Sequence, residues 1–128
     1  MKYLGIDYGT TKVGIAVSDE TGTIATPVAI ISNTDQLVGE VCRLYNQYEC
    51  EAVVIGESCD HAGNENPVMK RIKPFAKALE YTCKTTVYFE SEFLTTVQAG
   101  QYAENQKYID ASAAALILQS YLDRNKKI

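Results

Sequence analysis

The sequence predicts an α/β domain: a mixed sheet with helices on both faces. Three observations point there. The first thirty residues hold three strand-like runs separated by Gly/Thr turns. Ala52-Val53-Val54-Ile55-Gly56 is a short continuous apolar run, the mark of a strand covered on both sides. From residue 33 onward, segments with apolar residues at helical spacing alternate with such strands.

Taken in order, residues 2–8 and 12–19 form a hairpin around Gly9, and Thr21-Gly22-Thr23 turns the chain into a third strand near 23–30. Asn33-Thr34 reads as a helix N-cap, followed by Leu37, Val38, Val41, Cys42, Leu44 and Tyr45 on one helical face. The strand 52–56 follows, then a polar loop from Ser58 to Asn66. Asn66-Pro67 opens a second helix with proline at its first position, and Val68, Ile72, Phe75, Ala76 and Leu79 line its apolar side. Pro74 lies inside that pattern and predicts a kink or a break. Residues 85–89 make a fifth strand. Two helices, about 95–104 and 109–124, close the chain, the last rich in Ala and Leu.

At 128 residues the chain is one domain, 1–128, with no repeat or linker. Composition is ordinary for a globular protein, 46% apolar and 22% charged. No apolar run approaches the roughly 20 residues of a membrane span, and no leader pattern precedes the first strand, so no membrane association and a cytoplasmic location are expected. Cys42, Cys50, Cys59 and Cys83 show no C-x-x-C spacing and there is one histidine, His61. Four reduced thiols are expected, and no structural zinc. The formal charge of −4 weighs against a nucleic-acid partner. Carboxylates that hold cations are compensated by them, however. With four candidate ligands set aside the two signs balance at 12 each.

Asp7 is the most informative residue. An ionised carboxylate in an otherwise apolar central strand costs several kcal/mol unless something positive meets it. A metal ion, or a phosphate-bound metal, is the usual answer, and Gly5 on the same strand face would leave room for it. Turn capping ahead of Gly9 is the plain alternative. Hydrolysis of phosphodiesters by two hard cations needs several carboxylates converging from different elements. Glu57 ends the strand 52–56, at the carboxyl edge where α/β sites assemble. Glu90 and Glu92 flank Ser91 after the fifth strand, and Asp110 precedes the last helix, where it would also serve as an N-cap. Gly9, Thr10, Thr11 and Lys12 offer backbone N–H groups, hydroxyls and an ammonium for phosphate, or simply a hairpin turn. Lys70 and Arg71, with Lys73 and Lys77, could meet a phosphodiester backbone; the wet face of an amphipathic helix is the plain reading.

The ordered set Gly5-Ile6-Asp7-Tyr8-Gly9-Thr10, Val13-Gly14-Ile15-Ala16-Val17-Ser18-Asp19, Ala25-Thr26-Pro27, Val53-Val54-Ile55-Gly56, Glu92 with Leu94-Thr95-Thr96, and Ile109-Asp110-Ala111-Ser112-Ala113-Ala114 resembles the YqgF/RuvX family. Its members are described as Holliday junction resolvases and as nucleases for the small-subunit ribosomal RNA precursor. The resemblance implies an RNase H-like fold, a five-stranded mixed sheet with its second strand antiparallel. It implies metal-dependent hydrolysis with Mg²⁺ or Mn²⁺, two ions, held by Asp7, Glu92 and Asp110, with Thr95 near the substrate. Structured DNA or precursor rRNA would be the partner. Two departures stand out. Ser91-Glu92-Phe93 replaces the family's Asp-Glu-Arg, and Glu57-Ser58 follows Gly56 where an apolar residue and proline are usual. Glu57 is therefore a fourth candidate ligand, in the place of the acid lost at Ser91. A homodimer would suit symmetric cutting, though no motif shows one. Two other readings remain: a non-catalytic nucleic-acid or protein adaptor, and a phosphate-binding fragment like actin or the sugar kinases.

Overall fold

The structure, a computed structural model, describes residues 1–57, 64–91 and 109–125. Five strands and three helices are defined there: β1 (Tyr3–Tyr8), β2 (Lys12–Ser18), β3 (Ala25–Ser32), α1 (Leu37–Gln47), β4 (Ala52–Glu57), α2 (Met69–Cys83), β5 (Val87–Ser91) and α3 (Ile109–Arg124). They form one sheet in the order β3-β2-β1-β4-β5. β2 is antiparallel to both β1 and β3, whereas β4 runs parallel to β1 and to β5. The expected mixed sheet with an antiparallel second strand is what forms.

Strand alternation divides the core. Leu4 and Ile6 of β1, Val13 and Ile15 of β2, and Val53 and Ile55 of β4 bury one face under α1 and α2. Ala16 and Val54 occupy the other face, under Ala114, Ile117, Leu118, Tyr121 and Leu122 of α3. Leu4, Ile6, Ile15 and Ile55 are wholly buried, which is why β1 and β4 are central and nearly all apolar.

Several local expectations shift. The first helix starts at Leu37, not at 34: Gln36 is its N-cap residue and makes no side-chain cap. Thr34 instead closes a local turn, accepting from Gln36 N at 3.2 Å, and Asn33 is used elsewhere, as described below. Asn66-Pro67 likewise forms a preceding turn, with Met69 N donating to Asn66 O at 2.9 Å, and α2 begins two residues later than expected. Pro74 neither breaks nor ends α2, which runs unbroken from Met69 to Cys83. The carbonyl it leaves without a donor is that of Lys70, an exposed residue, so water can satisfy it. β3 and β5 lie about two residues further along than expected, at 25–32 and 87–91.

The expectation of four reduced thiols is corrected. Cys42 of α1 and Cys83 at the end of α2 form a disulfide, 41 residues apart. Local spacing gives no hint of this because only the packing of α1 on α2 brings the two together. Cys50 is free and buried, and burial pushes its thiol up to about 11. Cys59 lies outside the described residues. A closed loop of this length stabilises the fold by about 4 kcal/mol in the chain-entropy account. Cys42→Ser is therefore expected to lower the denaturant midpoint clearly under non-reducing conditions, and added reductant should do the same to the unaltered protein. Intact mass before and after alkylation reports the bond directly. An equal midpoint with and without reductant would show that the pair is not closed in solution, as a reducing compartment would also enforce.

Candidate active site

The carboxyl ends of β1, β4 and β5 share one edge of the sheet. Asp7 stands there, one residue before the end of β1. Leu4 and Ile6 face α1 and α2, so the pleat turns Tyr3, Gly5 and Asp7 towards α3. On β2 the partner of Asp7 is Gly14. Continuing the β1–β4 register one step beyond Ile6 and Ile55 places Gly56 on its other side. Neither neighbouring strand puts a side chain beside this half-buried carboxylate. Among the described residues nothing pairs with it by hydrogen bond or ion pair.

Gly5 has a different use from the one expected. A Cβ there would sit 2.7 Å from Leu118 Cβ and 3.2 Å from the Ala114 carbonyl, so the missing side chain makes room for α3, not for the carboxylate. This close approach also sets levels along the sheet. From the Ala114–Gly5 crossing, Asp110 is one helical turn back, about 6 Å. Asp7 is two strand residues on, about 6–7 Å. The backbone of Asp110 thus lies at the level of Asp7. Asp110 is the second residue of α3, in its first turn rather than ahead of it.

Polar ties hold α3 on both flanks. Towards β3, Gln119 Oε1 accepts from Ala25 N at 2.9 Å and its Nε2 donates to Thr23 O at 2.8 Å. Towards β5, the buried Glu90 carboxylate accepts from Ser120 Oγ at 2.8 Å and pairs with Arg124. Tyr121 lies between Tyr3 and Tyr88, with ring centroids at 5.5 and 5.6 Å, and burial raises its phenol pKa. Glu90 is therefore engaged in holding the helix. Arg124→Ala would leave that carboxylate buried with only Ser120, and about 2 kcal/mol of stability should be lost. Removing both charges, as in Glu90→Leu with Arg124→Leu, should restore most of it; chemical denaturation of the set decides.

The turn after β1 is also fixed from outside. A Cβ on Gly9 would lie 2.3 Å from Lys12 O, so the turn tolerates glycine alone. Asn33, just beyond β3, donates from Nδ2 to Gly9 O at 2.8 Å and from its backbone N to Thr11 O at 2.9 Å. Sequence reasoning spent Asn33 on a helix cap and missed this. With its carbonyls so held, the turn presents Thr10, Thr11 and Lys12 to solvent beside Asp7. On the opposite face of the sheet Phe75, midway along α2, packs on Tyr8 at the end of β1 with centroids at 5.1 Å, so the first turn of α2 reaches this edge from that face. Lys70 and Arg71 of its first turn are exposed there.

Not every candidate joins this cluster. Glu57 pairs with Ser91 in the ladder and falls in the row of Val53 and Ile55, which faces α1 and α2. The structure does not bring it to the face of Asp7. Glu92, Thr95, His61 and the helix expected at 95–104 lie outside the described residues, and so does the side chain of Asp110. Among the described residues no three His, Cys, Asp or Glu side chains gather as a metal site. Asp7 itself suits a hard divalent cation: an oxygen donor, half-buried, with glycine on each side and no competing partner among the described residues.

A model of Holliday junction resolvases, RuvX, matches residues 1–124, from before β1 through the whole of α3. The chain belongs to the RuvX family. A curated relative from Ruminiclostridium cellulolyticum, named "Putative pre-16S rRNA nuclease", is 36% identical over 141 aligned positions, covering 99% of each chain. RuvX is thus a nuclease family by the names of its members. Among solved structures, Thermus thermophilus RuvC in complex with a Holliday junction substrate superposes at a TM-score of 0.62 with 17% identity, covering 97% of this chain and 94% of the other. Fowlpox virus resolvase with Holliday junction DNA gives 0.62 at 16% identity, covering 99% and 100%. At such identities these two establish the fold, of the RNase H-like resolvase type. No helix among the described residues of this RuvX protein is long and apolar enough to cross a membrane.

Proposed function

We propose that this chain is a metal-dependent endonuclease that hydrolyses phosphodiester bonds in structured nucleic acid, with Asp7, Glu92 and Asp110 as its cation ligands. The observation that carries the reading is the setting of Asp7: flanked by glycines, unpaired among the described residues, and level with the first turn of α3. Bound at these carboxylates, a pair of Mg²⁺ or Mn²⁺ ions would supply an activated water and offset charge on the scissile phosphate. The chain's own groups do the rest. Asp7 stands on the central strand β1, whose pairing with β2 and β4 fixes its backbone at the carboxyl edge of the sheet. The turn Gly9–Lys12 offers N–H groups, two hydroxyls and an ammonium to the phosphate next to the cut. Lys70 and Arg71 approach the same edge and would hold the strand by its charge, and Thr95 would add a hydroxyl. A second copy would let both strands of a four-way junction be cut symmetrically. A cytoplasmic setting goes with either substrate.

The relatives' names favour an rRNA precursor and the fold neighbours a four-way DNA junction, so both belong in one assay. Purified protein is incubated with each labelled substrate, with Mn²⁺ or with EDTA, beside Asp7→Asn. Cleavage only with Mn²⁺, absent in the variant, supports the reading. Mn²⁺-independent cleavage would contradict it. Glu57→Gln belongs in the same series. From its row facing α1 and α2 it should leave cleavage within a few-fold of normal, and a loss as deep as that of Asp7→Asn would return Glu57 to the ligand set.

A further inference from the structure

Lys70, Lys73, Lys77 and Tyr81 fall within an arc of about 80° on α2, over a length of about 16 Å. Ile72, Phe75, Ala76 and Leu79 point the opposite way, into the core, so this stripe is the outermost face of the helix. With Arg71 and the capping Lys84 it gathers five of the chain's 12 Lys and Arg residues, in a protein of formal charge −4. Glu80 is the one acid inside α2. Lys73 pairs with Glu65 at 2.8 Å; among the described residues Lys70, Lys77 and Lys84 have no such partner. Tyr81 is 86% exposed at the C-terminal end of this stripe, between Lys77 and Lys84, the most exposed of the large apolar side chains among the described residues.

We infer that this face of α2 is a second nucleic-acid contact, a track for an unpaired strand leading away from the cut. The inference rests on the nuclease reading above and extends it beyond the sheet edge. A solvated amphipathic helix explains lysines on its wet side. What the stripe adds to them is a bare aromatic ring in line with the cations. Cations that follow a backbone, interleaved with an aromatic on which a base can stack, are the chemistry that holds single strands. A duplex offers no free base face, so the ring argues for an unpaired occupant. The direction fits as well. α2 lies on the face of the sheet opposite that of Asp7, with Phe75, midway along it, level with Tyr8 at the end of β1. Its first turn therefore reaches the edge that carries the turn Gly9–Lys12, and the stripe leads from there along the outer side of the helix.

The test is fluorescence anisotropy in EDTA, so that nothing is cut, with labelled 20-nucleotide single-stranded RNA, the matching single-stranded DNA, and a duplex of the same length. Lys77→Gln should reduce the salt slope for the single strands by about 0.7. Tyr81→Ala should weaken them about tenfold, while Tyr81→Phe keeps the ring and should bind normally. Both positions are exposed, so the variants should fold, and thermal melts verify it. Single-strand binding unchanged within twofold in Lys77→Gln and Tyr81→Ala overturns the inference; so does an effect seen on the duplex alone, or wild-type protein that binds no single strand. Mn²⁺-dependent cleavage, lost in Asp7→Asn, is scored separately, so the track can fail while the nuclease reading stands.

Discussion

Asp7→Asn should abolish cleavage, by at least about 10³-fold, while leaving the melting temperature within a few degrees of normal. Amide and carboxylate have the same shape, so packing between Gly14 and Gly56 is undisturbed. What changes is charge: the amide cannot hold a hard cation as a carboxylate does, and a lost metal contact at the reacting phosphate removes several kcal/mol of transition-state stabilisation. The same replacement carries a second expectation with the opposite sign. A half-buried carboxylate with no partner among the described residues destabilises the metal-free fold, so Asp7→Asn protein in EDTA should be as stable as normal or slightly more so. Rates from a quenched time course and melts in EDTA test both halves. Full activity in the variant would remove Asp7 from the site.

Gly5→Val should be the most damaging change that touches no charged group. Its new Cβ would fall 2.7 Å from Leu118 Cβ, a distance that packed atoms do not tolerate, and the branches would press on the Ala114 carbonyl. α3 must then lift from β1. Overpacking of this kind costs about 1–3 kcal/mol, and the upper end is expected where backbone is pressed. Activity should fall further than stability, because Asp110 rides on the displaced helix while Asp7 stays in the sheet. Leu118→Ala should give no rescue, since the clash is with Cβ, which alanine keeps. Denaturation and cleavage measured on the single and double variants separate these outcomes. A Gly5→Val protein of normal stability would show that α3 does not lie as close to β1 as described.

Much of this was readable from residues alone. The apolar runs at 3–8 and 52–57 became central strands because both their faces are covered, and that pattern is written in composition. Asp7 was visible for the same reason, as a charge where the pattern allows none. Other features depend on what meets what in three dimensions. Asn33 has the side chain of a helix cap, yet its amide finds Gly9 O across the sheet. Gly5 signals a close approach, but only the fold shows that the approaching atoms belong to Leu118 and Ala114. Glu57 ends a strand as expected and takes the face of Val53 and Ile55 by alternation, but a run apolar on both faces does not show which of its rows meets α1 and α2. Glu90 reads as a companion of Glu92; its tie to Ser120 and Arg124, 30 and 34 residues away, gives it structural work instead.

Calorimetric titration of metal-free protein with Mn²⁺ tests the central claim most directly. Wild-type protein should bind the ion at a saturable site, and Asp7→Asn and Asp110→Asn should each weaken it at least tenfold while remaining folded. Binding that is equal in all three proteins, or absent from the wild type, would contradict the account.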